Sequence, residues 1–320
     1  DVGSRIQPDY LRQFIADPHG VKPGTTMPDA LHGLSDSRRR EAAQAISHFL
    51  RSRAKKRFSF NAIRPDAVER GRALYHTTGC IACHSAEQAL PDSVPLASLE
   101  KKWGVDGLAE FLEDPLALRP GGRMPDLRLD HWVAVDIASY LLRAQTIPSP
   151  SDRPEPALAA EGEKLFKQFR CAACHESGDA LVIPTRARLD FAKLDTGCLS
   201  AESGAGPRFH LSSDQRDAIK AALKPGAPAP TRHEQIEITM ARLNCYACHK
   251  RDGVGGVSEA RDSYFTGADP NLGEQGRIPP DLSQVGSKLK MPWLRKVVAH
   301  GASARPYMNT RMPSFGEENV

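Results

Sequence analysis

Six of the seven cysteines in this 320-residue chain fall into three Cys-x-x-Cys pairs, and histidine follows each pair at once. The runs are Cys80-Ile81-Ala82-Cys83-His84, Cys171-Ala172-Ala173-Cys174-His175 and Cys245-Tyr246-Ala247-Cys248-His249. At this composition chance supplies on the order of 0.005 such runs, so three of them define the chemistry to expect. Two thiols at this spacing on one helical turn can add to the two vinyl groups of one haem. The next residue then points an imidazole nitrogen at the iron. The other ring N–H of each histidine is expected on a backbone carbonyl, which fixes tautomer and ring orientation. Zinc sites combine two nearby cysteine pairs, whereas successive pairs here start 91 and 74 residues apart. A thioredoxin-like redox pair would not recur three times with the same trailing histidine. The runs therefore predict three covalently bound haem c groups. Cys80, Cys83, Cys171, Cys174, Cys245 and Cys248 are the attachment residues, and His84, His175 and His249 the proximal iron ligands.

Composition agrees with domains whose centres are filled by something other than polypeptide. Aromatic residues make up 6% of the chain, while Gly and Pro number 25 each. The formal net charge is +4 with both signs mixed along the chain. That argues against a nucleic-acid binder, which shows a clustered basic face. No apolar run approaches the length needed to cross a bilayer. The sequence opens at Asp1 without a signal-peptide pattern, as expected of a mature chain or of part of something longer.

The chain also repeats itself. A leading helix precedes each run: Gly71 and Tyr75, Gly162 and Phe166, and Ile236 and Met240 lie at equal distances before their first cysteine. Met240, in the place of two aromatics, is expected in the core. A distal segment recurs at a constant offset of 97: Asp17-Pro18, Lys22-Pro23-Gly24 and Met27-Pro28-Asp29 match Asp114-Pro115, Arg119-Pro120-Gly121 and Met124-Pro125-Asp126. Val2-Gly3-Ser4 and Leu11-Arg12 likewise match Val285-Gly286-Ser287 and Leu294-Arg295, and that copy runs on to Arg311-Met312-Pro313. A closing amphipathic helix appears at Ile46, Phe49 and Leu50, at Ile137, Tyr140 and Leu141, and at Ile219, Ala222 and Leu223. Ser35, Asp130 and Ser212 are the expected N-caps. Pro-rich stretches at 147–156 and 224–230 read as linkers. The expected organisation is a haem-less distal half at 1–57, a module with the first haem at 58–150, a shortened module with the second at 151–231, and a module with the third at 232–320.

These parts in this order resemble class I cytochrome c domains. The resemblance implies an all-α fold of tandem cytochrome c-like modules, each wrapped round one covalently bound haem. It implies that Gly71 and Tyr75 cross Tyr140, and that the Pro95 and Pro280 carbonyls hold His84 and His249. It also implies maturation on the oxidising side of a membrane, hence a periplasmic or secreted protein. The finer style is similar to cytochrome domains of large secreted planctomycete-type proteins. Residues 1–57 carry no Cys-x-x-Cys-His run, and the third module stops where its closing helix should begin. Two expectations follow: a longer polypeptide or complex, or an N-terminal segment that completes another module.

A methionine thioether opposite histidine raises the haem potential and closes the iron to small ligands. Met124 and Met312, each in Arg-Met-Pro, are the expected sixth ligands of haems one and three. The second module has no Met-Pro segment between His175 and Ser212. Its alternatives are Cys198, His210, Met27 or an open iron. A lone cysteine is usually a small buried hydrophobe, but beside iron its thiolate is a strong ligand. Electron transfer through three haems to redox partner proteins is the leading expectation, ahead of an oxidoreductase with sulfur-compound or peroxidase-like chemistry at haem two. Mass spectrometry of the denatured protein should show three haem additions, and the Cys171→Ala/Cys174→Ala protein should show two; three in the double variant would refute the attachment reading.

Overall fold

The computed structural model describes residues 2–56, 62–96, 98–119, 124–145, 153–175, 199–200, 207–224, 226, 228–301 and 304–320. They are mostly helical. The helices are α1 (Val2–Arg5), α2 (Pro8–Ala16), α3 (Pro18–Val21), α4 (Asp36–Ser52), α5 (Pro65–Thr78), α6 (Leu99–Lys102) and α7 (Val105–Glu113). They continue with α8 (Pro115–Leu118), α9 (His131–Leu141), α10 (Pro156–Gln168), α11 (Ser213–Leu223), α12 (Arg232–Arg242), α13 (Val285–Lys288) and α14 (Met291–His300). Among the described residues the only strands are β1 (Lys250–Arg251) and β2 (Val254–Gly255), a short antiparallel hairpin. Several helices start with proline in their first turn, where a missing N–H costs nothing and φ is already set for a helix.

The chain divides into two compact units. One joins Asp1–Ser59 to Ile147–Ala229, and the other joins Phe60–Thr146 to Pro230–Val320. Each unit is therefore discontinuous in sequence.

In the second unit α5 crosses α9. A Cβ on Gly71 would collide with the Asp136 carbonyl and the Tyr140 side chain. Glycine is thus what lets the two backbones touch. Tyr75 and Tyr140, both fully buried, meet with ring centroids 5.5 Å apart. The Arg70 guanidinium grips Asp136 with two bonds of 2.7 and 2.8 Å. α7 buries Leu108 and Leu112 and packs on α9. Asp114 then caps α8 by accepting from the Ala117 N–H at 2.9 Å.

The first unit repeats this crossing with α10 on α4. A Cβ on Gly162 would collide with the Ala45 carbonyl. Phe49 and Phe166 are 5.4 Å apart in a tilted pair. Ile46, Phe49, Phe166 and Ala172 form one buried cluster, extended by Leu50, Leu165 and Phe169. α2 packs on α4, and Asp17 caps α3 by accepting from the Gly20 N–H at 2.9 Å. The N-terminal segment is thus built into the same unit as residues 147–229.

One expected element lies elsewhere. α11 forms, with a complete capping box between Ser212 and Gln215, but it buries none of its residues. α4 lies across α10 in the position expected for α11. The reason is visible in the side chains: α4 brings Phe49 to Phe166, where α11 has only Ala222 to offer.

Gly162→Ala should lower stability by about 1–3 kcal/mol or more, because the methyl group meets backbone that cannot rotate away. Urea unfolding of the variant should show a lower midpoint at an unchanged slope; an unchanged midpoint would mean α10 does not lie on α4.

Candidate functional site

The three Cys-x-x-Cys-His runs fold identically. Each leading helix ends at a residue in the left-handed region: Gly79 (φ 119°), Arg170 (φ 53°) and Asn244 (φ 55°). This is a common way to stop a helix, although arginine and asparagine carry a steric cost there that glycine does not. A 3-10 turn follows at Cys80–Ala82, Cys171–Ala173 and Cys245–Ala247. The histidine N–H then donates to the carbonyl of the first cysteine, at 2.9 Å for His84, 3.0 Å for His175 and 2.9 Å for His249. Two sulfurs and an imidazole are thereby carried on one turn.

The ring orientations of two histidines are set by backbone. His249 Nδ1 lies 2.8 Å from the Pro280 carbonyl oxygen, as expected. His84 Nδ1 lies 2.9 Å from the carbonyl of Val94, one residue before the expected Pro95. A carbonyl can only accept, so each Nδ1 is protonated and Nε2 keeps a lone pair for a metal. Burial lowers both imidazole pKa values, partly offset by these bonds. Burial pushes the Cys80 and Cys171 thiols up to about 11 and Cys248 up to about 12. His175 is exposed, and the chain after it, including Cys198, lies outside the described residues.

The first and third turns abut within one unit. Asn244, the residue before Cys245, donates from its side-chain amide to Cys83 Sγ at 3.4 Å. The Cys83 sulfur is close enough to raise the pKa of both Cys245 and Cys248. Buried Arg261 bonds the Ile81 carbonyl at 3.0 Å, and the Pro91 carbonyl and Ser93 hydroxyl at 2.7 Å each. The Arg311 N–H donates to the Thr78 carbonyl at 3.0 Å, just before Gly79. Neither Asn244 nor Arg261 was singled out from the sequence, since nothing in a single asparagine or arginine marks a long-range partner.

Met124 and Met312 are both half-buried. Their segments run side by side, with an antiparallel bridge between Asp126 and Ser314. Met27 is half-buried too, and Asp29 makes the corresponding bridge with Arg208. His210 is exposed and stacks on His19, ring centroids 4.2 Å apart. No protein-family model, no curated protein and no solved structure matches the chain.

Glu87 ties the loop after His84 back to the crossing helices. It accepts from Arg72 at 2.7 and 3.1 Å and from the Tyr140 hydroxyl at 3.0 Å. The Arg72 bonds hold its pKa down at about 2, against an ordinary 4.5. A carboxylate depressed on folding contributes stability above its unfolded pKa and loses it as pH falls through the folded one. Acid unfolding between about pH 4.5 and 2 should therefore be shallower in Glu87→Gln than in the parent. Parallel acid limbs, followed by near-ultraviolet dichroism, would show the carboxylate to be idle.

Proposed function

We propose that this chain is an extracytoplasmic electron-transfer protein carrying three covalently bound haem c groups, in tandem cytochrome c-like modules, that exchanges electrons with redox partner proteins. The residues present fit such a group. Each turn supplies the two thiols that would form thioethers and the imidazole that would ligate iron. At His84 and His249 a backbone carbonyl occupies Nδ1 and leaves Nε2 for the metal, the orientation that metal-ligating histidines need. Tyr75 Oη is buried without a hydrogen-bond partner, beside sulfurs of the Cys80–Cys83 pair that add to the rise in its pKa. An orphaned phenol at this point suits the wall of a cofactor pocket.

Haem supplies one-electron chemistry; this chain would supply orientation, burial and axial ligands. Met124 and Met312 would be the sixth ligands at the first and third irons. No helix among the described residues is long and apolar enough to cross a membrane.

The observation that carries the reading is the contact between the first and third turns through Asn244 and Cys83. Two cofactors attached through abutting turns would be neighbours, and electrons would pass between them although a third attachment site separates them in sequence. Neighbouring irons also feel each other's charge. At about 10 Å and an effective dielectric of about 20, one unit of charge is worth about 1.7 kcal/mol, or on the order of tens of millivolts. Removing haem one with Cys80→Ala/Cys83→Ala should therefore shift the potential of haem three by this order in a reductive titration. Loss of covalent haem from the parent protein, or a haem-three potential that ignores haem one, would count against the proposal.

A further inference from the structure

We infer that Met27 is the sixth ligand of the iron at the second turn, so that the second haem module is split, with its distal half in residues 8–52 and its attaching half in residues 156–175. This rests on the haem reading above and replaces Cys198 and His210 as the candidates.

Four observations converge on Met27. The first is the helix crossing. Gly162 meets the Ala45 carbonyl as Gly71 meets that of Asp136, and Phe166 meets Phe49 as Tyr75 meets Tyr140. Gly71, Tyr75 and Cys80 lie 91 residues before Gly162, Phe166 and Cys171, whereas Asp136 and Tyr140 lie 91 residues after Ala45 and Phe49, so the crossing is reproduced with its two helices in the opposite chain order. α4 therefore stands to the second turn as α9 stands to the first.

The second is the distal path. α2 and α3 lead to Met27 as α7 and α8 lead to Met124, with Asp17 and Asp114 as equivalent caps. The path from Met27 to Ala45 is six residues longer than that from Met124 to Asp136. Two of the extra residues lie between Asp29 and Ser35 and four lengthen the N-terminal end of α4; there Leu31 is buried and the Asp29 carboxylate accepts from Leu31 N–H and from Arg39 of α4, each at 2.9 Å.

The third is the edge bridge. Asp29 pairs with Arg208 as Asp126 pairs with Ser314. That aligns Pro207-Arg208-Phe209 with Pro313-Ser314-Phe315. The methionine carried beside this bridge is Met27, two residues before Asp29, as Met124 lies two residues before Asp126.

The fourth concerns His210. In the same register it matches Gly316, where an added Cβ would touch Leu116. Leu116 in turn corresponds to His19 at the offset of 97. The His19–His210 stack thus occupies a packing contact between segments, at positions that hold no ligand in the other unit.

The test uses the full chain, with covalent haem counted by mass spectrometry beforehand. Fewer than three haems on the parent protein would defeat the haem reading itself and is a separate failure. With three haems bound, Met27→Ala should remove about one third of the Met–iron charge-transfer band at the red end of the ferric spectrum. Met124→Ala should do the same. Reduced Met27→Ala should also bind carbon monoxide at one haem in three, and the parent at none. Cys198→Ser and His210→Ala should leave the band and the carbon monoxide response as in the parent. If Met27→Ala fails to hold its fold, Met27→His keeps a ligand in place and should exchange one Met–iron contribution for a bis-imidazole signal. An unaltered ferric spectrum in either Met27 variant with three haems bound, or a change at haem two in Cys198→Ser or His210→Ala, would overturn the inference.

Discussion

A helix that lacks a side chain at one position lets a second helix lay its backbone directly on it, and both units are organised by that contact. At Gly71 and Gly162 the crossing is closer than any side chain allows. The aromatics one turn later, Tyr75 with Tyr140 and Phe166 with Phe49, then meet in the tilted geometry that aromatic pairs favour. Such a pair adds about 0.5–1.5 kcal/mol beyond the area it buries. The direction of each leading helix is fixed by this crossing. So is the position of its C-terminus, where a left-handed residue turns the chain into the 3-10 turn that carries two sulfurs and an imidazole.

Chemistry at these turns depends on rigidity more than on charge. Burial raises the pKa of the Cys80 and Cys248 thiols, and the imidazoles of His84 and His249 are pinned through Nδ1. Arg261 adds a cation beside Cys83 and Cys248, yet its bonds go to carbonyls and a hydroxyl of the loop after Cys80. Buried and multiply bonded, it works as a brace between segments that lie far apart in sequence. Under the proposed function that brace would hold two redox centres at a constant separation.

Much of this was legible in the sequence, because the repeats record it. The Cys-x-x-Cys-His turns, the leading helices and the N-cap positions of Ser35, Asp130 and Ser212 stand where the repeats predict, with a side-chain cap bond at Ser212, and His249 has the Pro280 carbonyl partner that the resemblance implies. What could not be read was the pairing of halves. A repeat says that 36–52 and 131–141 are alike, but not which leading helix each one covers. Proximity in sequence favoured α11 for α10, and packing chose α4, whose Ile46 and Phe49 fill the groove that Ala222 cannot. Asn244 and Arg261 left no signal, since their partners lie more than 150 residues away in sequence.

A module split around an inserted one needs little extra free energy. Loop-closure entropy rises with the logarithm of loop length, at about 0.6 kcal/mol per doubling. The stretch between Ala45 and Gly162 is somewhat under twice that between Gly71 and Asp136, so the split costs roughly half a kcal/mol. The contact between Phe49 and Phe166 alone is of the size needed to offset that. The larger consequence is kinetic. α4 emerges early in synthesis with Ile46 and Phe49 uncovered, and its partner helix follows only after the whole of the intervening segment. Contacts so far apart in sequence form late. The first unit therefore completes after the helix pair α5–α9, and its apolar face on α4 must wait, in solvent or on a transient partner, until residues 156–168 arrive.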